Sequence, residues 1–205
     1  MRKIIVADSL KWLKQQTEIP NVVTGICDLD ETNMEFKEYI VFFNKISKLI
    51  FEKLEKTAGY AIFTQTDRKI NREWIDKSYL LTKCAYECGL KLVWHKIILN
   101  RKVGATDLFR PTYSHILCYT YKGTSGAATP DVIDVSTRSY KNATPIKAAE
   151  ICIEFIKKNN KLNTDIIDPF VGQGTIVAMA NKHGLNAIGI DIDPEQAKKA
   201  EIYKL

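Results

Sequence analysis

Nothing in the 205-residue chain is apolar for long enough to cross a bilayer, and neither end carries a signal-peptide pattern. The expected setting is therefore cytoplasmic or nuclear, with no membrane partner. Cysteine supplies no framework either. The five cysteines (Cys27, Cys84, Cys88, Cys118 and Cys152) are odd in number and form no CxxC pair, so neither a disulfide set nor a metal site is expected. Cys84 and Cys88 would share one helix face, but with no histidine beside them they read as buried thiols. The GxGxxG pattern of hydride-transfer dinucleotide enzymes is missing, as is any internal repeat. Acidic residues are outnumbered, 24 Asp and Glu against 30 Lys and Arg, which gives a net charge of +6 and a pI near 8.9. That balance favours an anionic partner, although lysine-rich solvated helix faces produce it too.

What is present is an ordinary globular composition, 45% hydrophobic and 26% charged, and a length that suits one domain over residues 1–205 with a substantial core. Short apolar runs rich in β-branched residues predict strands at 3–7, 21–26, 59–64, 91–99, 115–121, 164–168 and 186–191. Between them, helical periodicity predicts helices at 9–16, 32–57, 72–88, 144–159, 175–183 and 194–203. This alternation is that of an α/β protein with a mostly parallel sheet. Residues 123–142, with clustered Gly, Ser, Thr and Pro, read as a long connecting loop.

The stretch "TDIIDPFVGQGT" ends a strand in Asp168 and must turn sharply into a helix near Thr175. Gly172 and Gly174 allow backbone conformations closed to other residues and a close approach to a ligand, while free N–H groups at the helix start favour electron-rich groups. About twenty residues on, "NAIGIDID" puts Asp191 at the end of the next strand, where an acidic residue grips ribose hydroxyls in βαβ nucleotide sites.

"DPFVGQGTIVAMANKHGLNAIGIDIDPEQAKKA" resembles the S-adenosylmethionine-binding motif of the permuted amino-methyltransferases that modify DNA bases, whose usual form is DPFxGSGTT followed by an IGIE or IGID strand. The resemblance extends over almost the whole chain. "IIVADSLKWLKQQTEIPNVVTGICD" is similar to the family's strand, short helix and next strand, and "LVWHKIILNRKVGATDLFRPTYSHILCYTYKG" to its later hairpin. "ATPIKAAEICIEFIKKNN" resembles the helix that closes over the cofactor, where the family commonly has a KP pair. The resemblance implies a Rossmann-like class I methyltransferase fold, circularly permuted, with a seven-stranded, mostly parallel sheet and one antiparallel hairpin. It divides the chain into a substrate-side and catalytic half (1–122), a loop (123–142) and a cofactor half (143–205). It also implies S-adenosyl-L-methionine as cofactor, held by a turn of Asp168, Phe170, Gly172, Gly174 and Thr175, with Asp191 on the ribose, Asp8 near the adenine, and Thr144 and Pro145 on the methionine side.

One stretch departs from the family. Where an (Asn/Asp/Ser)-Pro-Pro-(Tyr/Phe) loop would clamp the exocyclic amine of a flipped base, this chain has Gly25, Ile26, Cys27 and Asp28. Asp28 is the candidate catalytic residue, a general base beside the methyl donor, with helix capping or a solvated position as the alternatives. Cys27 lacks both the Pro-Cys pair and the activating partner of a C5-type nucleophile. Substrate contacts are expected from the polar cluster after strand 59–64, namely Gln65, Asp67, Arg68 and Lys69, with Trp74 stacking or buried, and from His95, Lys96, Arg110 and Tyr113 on the hairpin. His115 reads as a satisfied strand histidine.

The expected activity is methyl transfer to nucleic acid, with RNA favoured over DNA because 123–142 is too short for the target-recognition segment usual in the DNA enzymes. The alternatives are a protein or small-molecule methyltransferase, or a silent subunit that binds nucleic acid or a partner. A homodimer or a partner subunit that completes the site also stays open.

Overall fold

The computed structural model describes residues 1–70, 72–123 and 129–205. In chain order the elements are β1 (Arg2–Val6), α1 (Ser9–Gln15), β2 (Asn21–Thr24), a short 3-10 turn (Leu29–Glu31), α2 (Phe36–Lys53), β3 (Tyr60–Gln65), β4 (Arg68–Ile70), β5 (Glu73–Ile75) and α3 (Lys77–Glu87). They continue with β6 (Lys91–Leu99), β7 (Tyr113–Thr120), β8 (Val132–Ile133), α4 (Ile146–Asn159), β9 (Ile166–Asp168), α5 (Thr175–Lys182), β10 (Ala187–Asp191) and α6 (Pro194–Ile202).

One sheet runs in the order β1-β10-β9-β2-β3-β7-β6-β8. From β1 to β3 every pairing is parallel; β7 is antiparallel to both β3 and β6, and β8 lies parallel to β6. The last two strands of the chain therefore sit between its first two. Alternation along each strand sends neighbours to opposite faces. Val23, Ile62 and Ile166 pack against α4, α5 and α6, whereas Val22, Phe63 and Ile167 pack against α1, α2 and α3. Both faces are covered, which is why these strands carry near-continuous apolar runs.

All seven expected strands are present, and an eighth, β8, falls within 123–142, of which 124–128 lie outside the described residues. The helix expected from 72 starts only at Lys77. An antiparallel β4–β5 pair occupies the preceding residues, with Arg72 at φ 67°, and the Asp76 side chain then accepts from the Tyr79 N–H at 2.8 Å to open α3. The long helix expected over 32–57 is trimmed to α2 by a reciprocal Glu35–Glu38 cap and by Leu54, which turns extended to bridge Ile19.

This topology brings the carboxyl ends of β1, β10, β9, β2 and β3 to one edge, the place where α/β sheets hold ligands.

Candidate active site

At that edge β9 ends in Asp168, and the chain turns through Gly172 (φ 51°) and Gly174 (φ 94°) into α5. A Cβ on Gly174 would lie 2.9 Å from the Ala200 Cα, and one on Gly172 would lie 2.5 Å from the Tyr140 hydroxyl. Gly174 thus requires glycine for space as well as for backbone angle, whereas at Gly172 the tip of the Tyr140 side chain could shift and the positive φ is the main demand. The Asp191 carboxylate fastens the turn, accepting from the Gly172 N–H and from the Asp193 N–H at 2.9 Å each. Asp168 is buried, and its Oδ1 accepts from the Thr24 hydroxyl at 2.7 Å and from the Phe170 N–H at 3.2 Å. Burial pushes the Asp168 carboxyl up to about 7 and raises that of Asp191 as well. Asp8 caps α1 through the Lys11 N–H, and the neighbouring Ser9 hydroxyl donates to the Pro169 carbonyl, tying the end of β1 to the turn.

These groups open onto one cleft of about 1130 Å³, larger than the usual range for a single small ligand. Its near end is acidic, with Asp8, Asp168, Asp191 and Asp193 on the wall. The far end is mixed, with Lys77, Arg101 and Arg110 paired to the Asp28 and Asp107 carboxylates, Glu31 beside them, and Arg138 the cation there without a carboxylate partner among the described residues. Thr144 and Thr175 also face it, while Pro145 is buried at the start of α4 and Gly174 packs on α6 behind the wall. Gln196 contributes a buried Oε1 that has no partner among the described residues.

Between the two ends lies the loop after β2. Gly25 packs on β3, where a Cβ would meet the Thr64 carbonyl at 2.9 Å. Gln65 grips Ile26 from both sides, its Oε1 accepting from the Ile26 N–H and its Nε2 donating to the Ile26 carbonyl, each at 3.1 Å. The Tyr39 hydroxyl donates to the Cys27 carbonyl at 2.9 Å. Neither carbonyl is left wholly free to grip an amine. Burial, with Glu31 nearby, raises the Cys27 thiol to about 12, so it is a thiol and not a thiolate at neutral pH.

Asp28 is the hub of a charge cluster. Its Oδ1 accepts from Lys77 Nζ at 2.8 Å and from the Leu29 N–H at 2.9 Å, while Oδ2 pairs with Arg110 at 3.2 Å and Arg68 at 3.4 Å. A carboxylate offers about four lone-pair positions, and all are engaged, which leaves none for the general-base role expected of Asp28. Lys77 is almost fully buried, and desolvation lowers its pKa against the pull of Asp28.

The other expected substrate residues divide. Gln65 and Arg110 face the cleft. Arg68 and Asp67 stand behind it. Asp67 accepts from Trp74 Nε1 at 3.0 Å and from the Lys77 N–H at 2.9 Å, and pairs with His115 Nε2 at 3.1 Å. Burial works to raise the Asp67 carboxyl, but these partners outweigh it and hold it low. His115 in turn meets His95 at 2.8 Å, and Tyr113 packs edge-on to His115 with ring centroids 5.3 Å apart. Lys69 is bonded to the Asp107 carbonyl at 2.8 Å outside the cleft. Lys96 is a correction. It points to the opposite face of β6 from His95 and is buried against the carbonyls of Thr129 and Pro130 and the Asp131 carboxylate, so it holds the chain entering β8 and takes no part in the cleft.

Sequence reasoning missed Lys77, Asn100, Arg138 and Tyr140. Arg138 donates to Asn100 and to the Ala143 carbonyl and has no carboxylate partner among the described residues. Tyr140 accepts from the Gln173 N–H at 3.0 Å. Both lie in the segment read as a loop, where nothing in the spacing marks them.

The sheet order, the glycine turn and the acid-tipped neighbouring strands are those of the class I methyltransferase fold. The chain belongs to the DNA methylase family N6_N4_Mtase, which it matches over residues 37–202; the departing loop at 25–28 precedes that stretch. A type II methyltransferase of Methanocaldococcus jannaschii, M.MjaII, is 42% identical over 48 residues, 23% of this chain but only 9% of that enzyme. Among solved structures, the cytosine-N4-specific PvuII DNA methyltransferase superposes with a TM-score of 0.76 at 15% identity, covering 98% of this chain and 85% of that one. TTHA0409 of Thermus thermophilus, a DNA modification methylase by provisional assignment and bound to S-adenosyl-L-methionine, gives 0.74 at 17% identity, covering 98% and 91%. The expected preference for RNA finds no support among these relatives, which are named for DNA. No helix among the described residues is long and apolar enough to cross a membrane.

The near end of the cleft suits the cofactor: a cationic ligand meets carboxylates, the glycine turn leaves room that side chains would fill, and Gln196 offers an unused acceptor.

Proposed function

We propose that the protein methylates a base of DNA. The observation that carries this reading is a long cleft that is acidic where a cationic cofactor belongs and that holds, at its other end, Arg138, a cation with no carboxylate partner among the described residues to occupy it. When bound, the cofactor supplies a methyl group activated on a sulfonium. The chain's own part is to align the acceptor with it, and alignment alone supplies much of the rate. In this reading Asp191 holds the ribose, Asp8 faces the adenine and Thr144 the methionine side, with the turn from Asp168 to Thr175 as the cradle. Arg138 and Arg110 face the nucleic acid. The Ile26 and Cys27 carbonyls each accept one hydrogen bond and keep a second lone pair, so it is the loss of the Pro-Pro tetrad that argues against an exocyclic-amine grip by this loop.

Tritiated-methyl transfer to double-stranded genomic DNA, total RNA and a protein extract tests the assignment. Label is expected on DNA and is expected to fall with Asp191→Ala, whose cofactor affinity drops by about 1–3 kcal/mol through loss of charged hydrogen bonds. Label confined to RNA or to protein overturns it.

Asp28 acts in this reading as the anchor of Lys77 and shares Arg68 and Arg110 with Asp30. Asp28→Asn is therefore expected to lower unfolding stability by about 1–3 kcal/mol, because a buried ammonium loses its counter-charge, with cofactor affinity near that of the wild type. Denaturant unfolding and calorimetry check both halves; unchanged stability would remove Asp28 from the anchoring role.

A further inference from the structure

The loop between β6 and β7 displays apolar side chains that the described residues leave uncovered. Leu108 is 85% and Phe109 70% exposed, and Trp74 on the adjoining β5 is 48% exposed. An isolated exposed leucine needs no explanation. Here, however, the loop spends its polar groups on holding this tip in place. Asp107 Oδ1 accepts from the N–H groups of Phe109 at 2.8 Å and Arg110 at 3.0 Å, and its Oδ2 takes Arg101 at 2.6 Å. Lys69 ties the tip to β4 twice, its N–H donating to the Phe109 carbonyl at 3.2 Å and its ammonium to the Asp107 carbonyl at 2.8 Å, while that ammonium also lies 5.2 Å from the centre of the Trp74 ring.

The flanking residues Arg101, Asp107, Arg110 and Pro111 all line the far end of the cleft. Leu108 and Phe109 thus stand at its rim, held by hydrogen bonds on both sides, with cations beside them. On a duplex, such an arrangement places positive charge along the phosphates and an apolar wedge against the stack.

From this we infer that Phe109, supported by Leu108, is a wedge that enters DNA at the gap left when the target base turns into the cleft. The inference rests on the DNA-methylating reading above. Turning a base out of the stack leaves an apolar gap between its neighbours, and a planar ring set at the cleft mouth fills it while the base is held inside. The hydrogen bonds to the Phe109 backbone fix the course of the loop, so little backbone ordering is left for binding.

The test uses the full chain and a short synthetic duplex, intact or with one abasic position that offers the gap ready-made. Wild type is expected to bind the abasic duplex about tenfold more tightly than the intact one. The Leu108→Ala/Phe109→Ala variant is expected to bind both equally, with cofactor affinity unchanged because neither residue touches the near end of the cleft. In parallel, Phe109→Trp should show indole fluorescence quenched more by the abasic duplex than by the intact one. DNA binding with a preference that survives in the double variant overturns the wedge and leaves the DNA reading standing. Failure to bind either duplex, with cofactor binding intact, overturns the DNA reading and the wedge with it.

Discussion

Gly174→Ala is expected to abolish cofactor binding and to lower unfolding stability by about 2–5 kcal/mol, from backbone strain and overpacking together. Gly174 sits at φ 94°, a region that L side chains rarely adopt, and its Cβ would meet the Ala200 Cα at 2.9 Å and the Ala200 carbonyl at 3.1 Å. These are backbone atoms of α6, and the helix has little freedom to retreat. Arg2 of β1 donates to the carbonyls of Ala200 at 2.9 Å and Tyr203 at 2.6 Å, and to Asn181 of α5 at 2.9 Å, so α6, α5 and the sheet edge are bound as one unit. Relief must come from the turn itself, moving Gly172 and the Asp191 contact that it makes. Gly184 provides the control. It has a similar φ of 78° but nothing within 4 Å of its Cβ position, so Gly184→Ala is expected to show the backbone strain alone, about 1–2 kcal/mol, with binding retained. Thermal unfolding and calorimetry on the two variants separate strain from collision. A Gly174→Ala protein that melted and bound like the Gly184 variant would show that the close approach of α6 is not needed.

The contrast between these glycines bears on what a sequence discloses. Gly172 and Gly174 stand between an apolar strand and an apolar helix, and their context in the sequence marks a ligand turn. The strands are legible for a similar reason: Ile166 and Ile167, or Val22 and Val23, belong to runs buried on both faces, which no helix of that length would need. β4 and β5 were not legible, since RKI and EWI are short, half-exposed and without alternation. β8 is two residues long and owes its place to Lys96, which is fixed to the preceding chain. Strand periodicity alone forbids His95 and Lys96 from facing the same cleft, a rule that should have separated them.

The charge cluster lay beyond reach for a different reason. Asp28, Arg68, Lys77 and Arg110 come from four separate parts of the chain, and only the sheet order brings them together. Sequence spacing assigns Asp28 a type of chemistry; the number of cations around it decides whether that chemistry is free to act. The preference for RNA rested on the shortness of 123–142, a length argument that says how much protein is present and nothing about which polyanion it meets. The matching family is described as DNA methylase, which gives the preference for RNA no support.

The pH dependence of cofactor binding is expected to follow Asp168. Burial holds its carboxyl at about 7, against an ordinary value of 3.8, so near pH 6 the folded protein carries a proton that the unfolded chain has released. Two consequences differ in sign. The cofactor-free protein loses stability as pH rises from about 4 to about 7, because ionising this buried group in the fold costs free energy that ionising it in the unfolded chain does not. Cofactor affinity moves the other way, since a cationic ligand favours the carboxylate and Asp168 faces the acidic end of the cleft, with Oδ1 taken by Thr24 and Phe170. If only the ionised form binds, the dissociation constant falls about tenfold per pH unit between roughly pH 5 and pH 7 and levels above. Asp168→Asn removes both dependences: it is expected to raise the melting temperature of the cofactor-free protein at pH 8, and to leave weak binding that no longer varies with pH. Calorimetric titrations across this range, on both proteins, measure the slope. A wild-type slope that persists in the variant would assign the proton to another group, for which Asp191, also raised by burial and set at the adjoining strand end, is the next candidate.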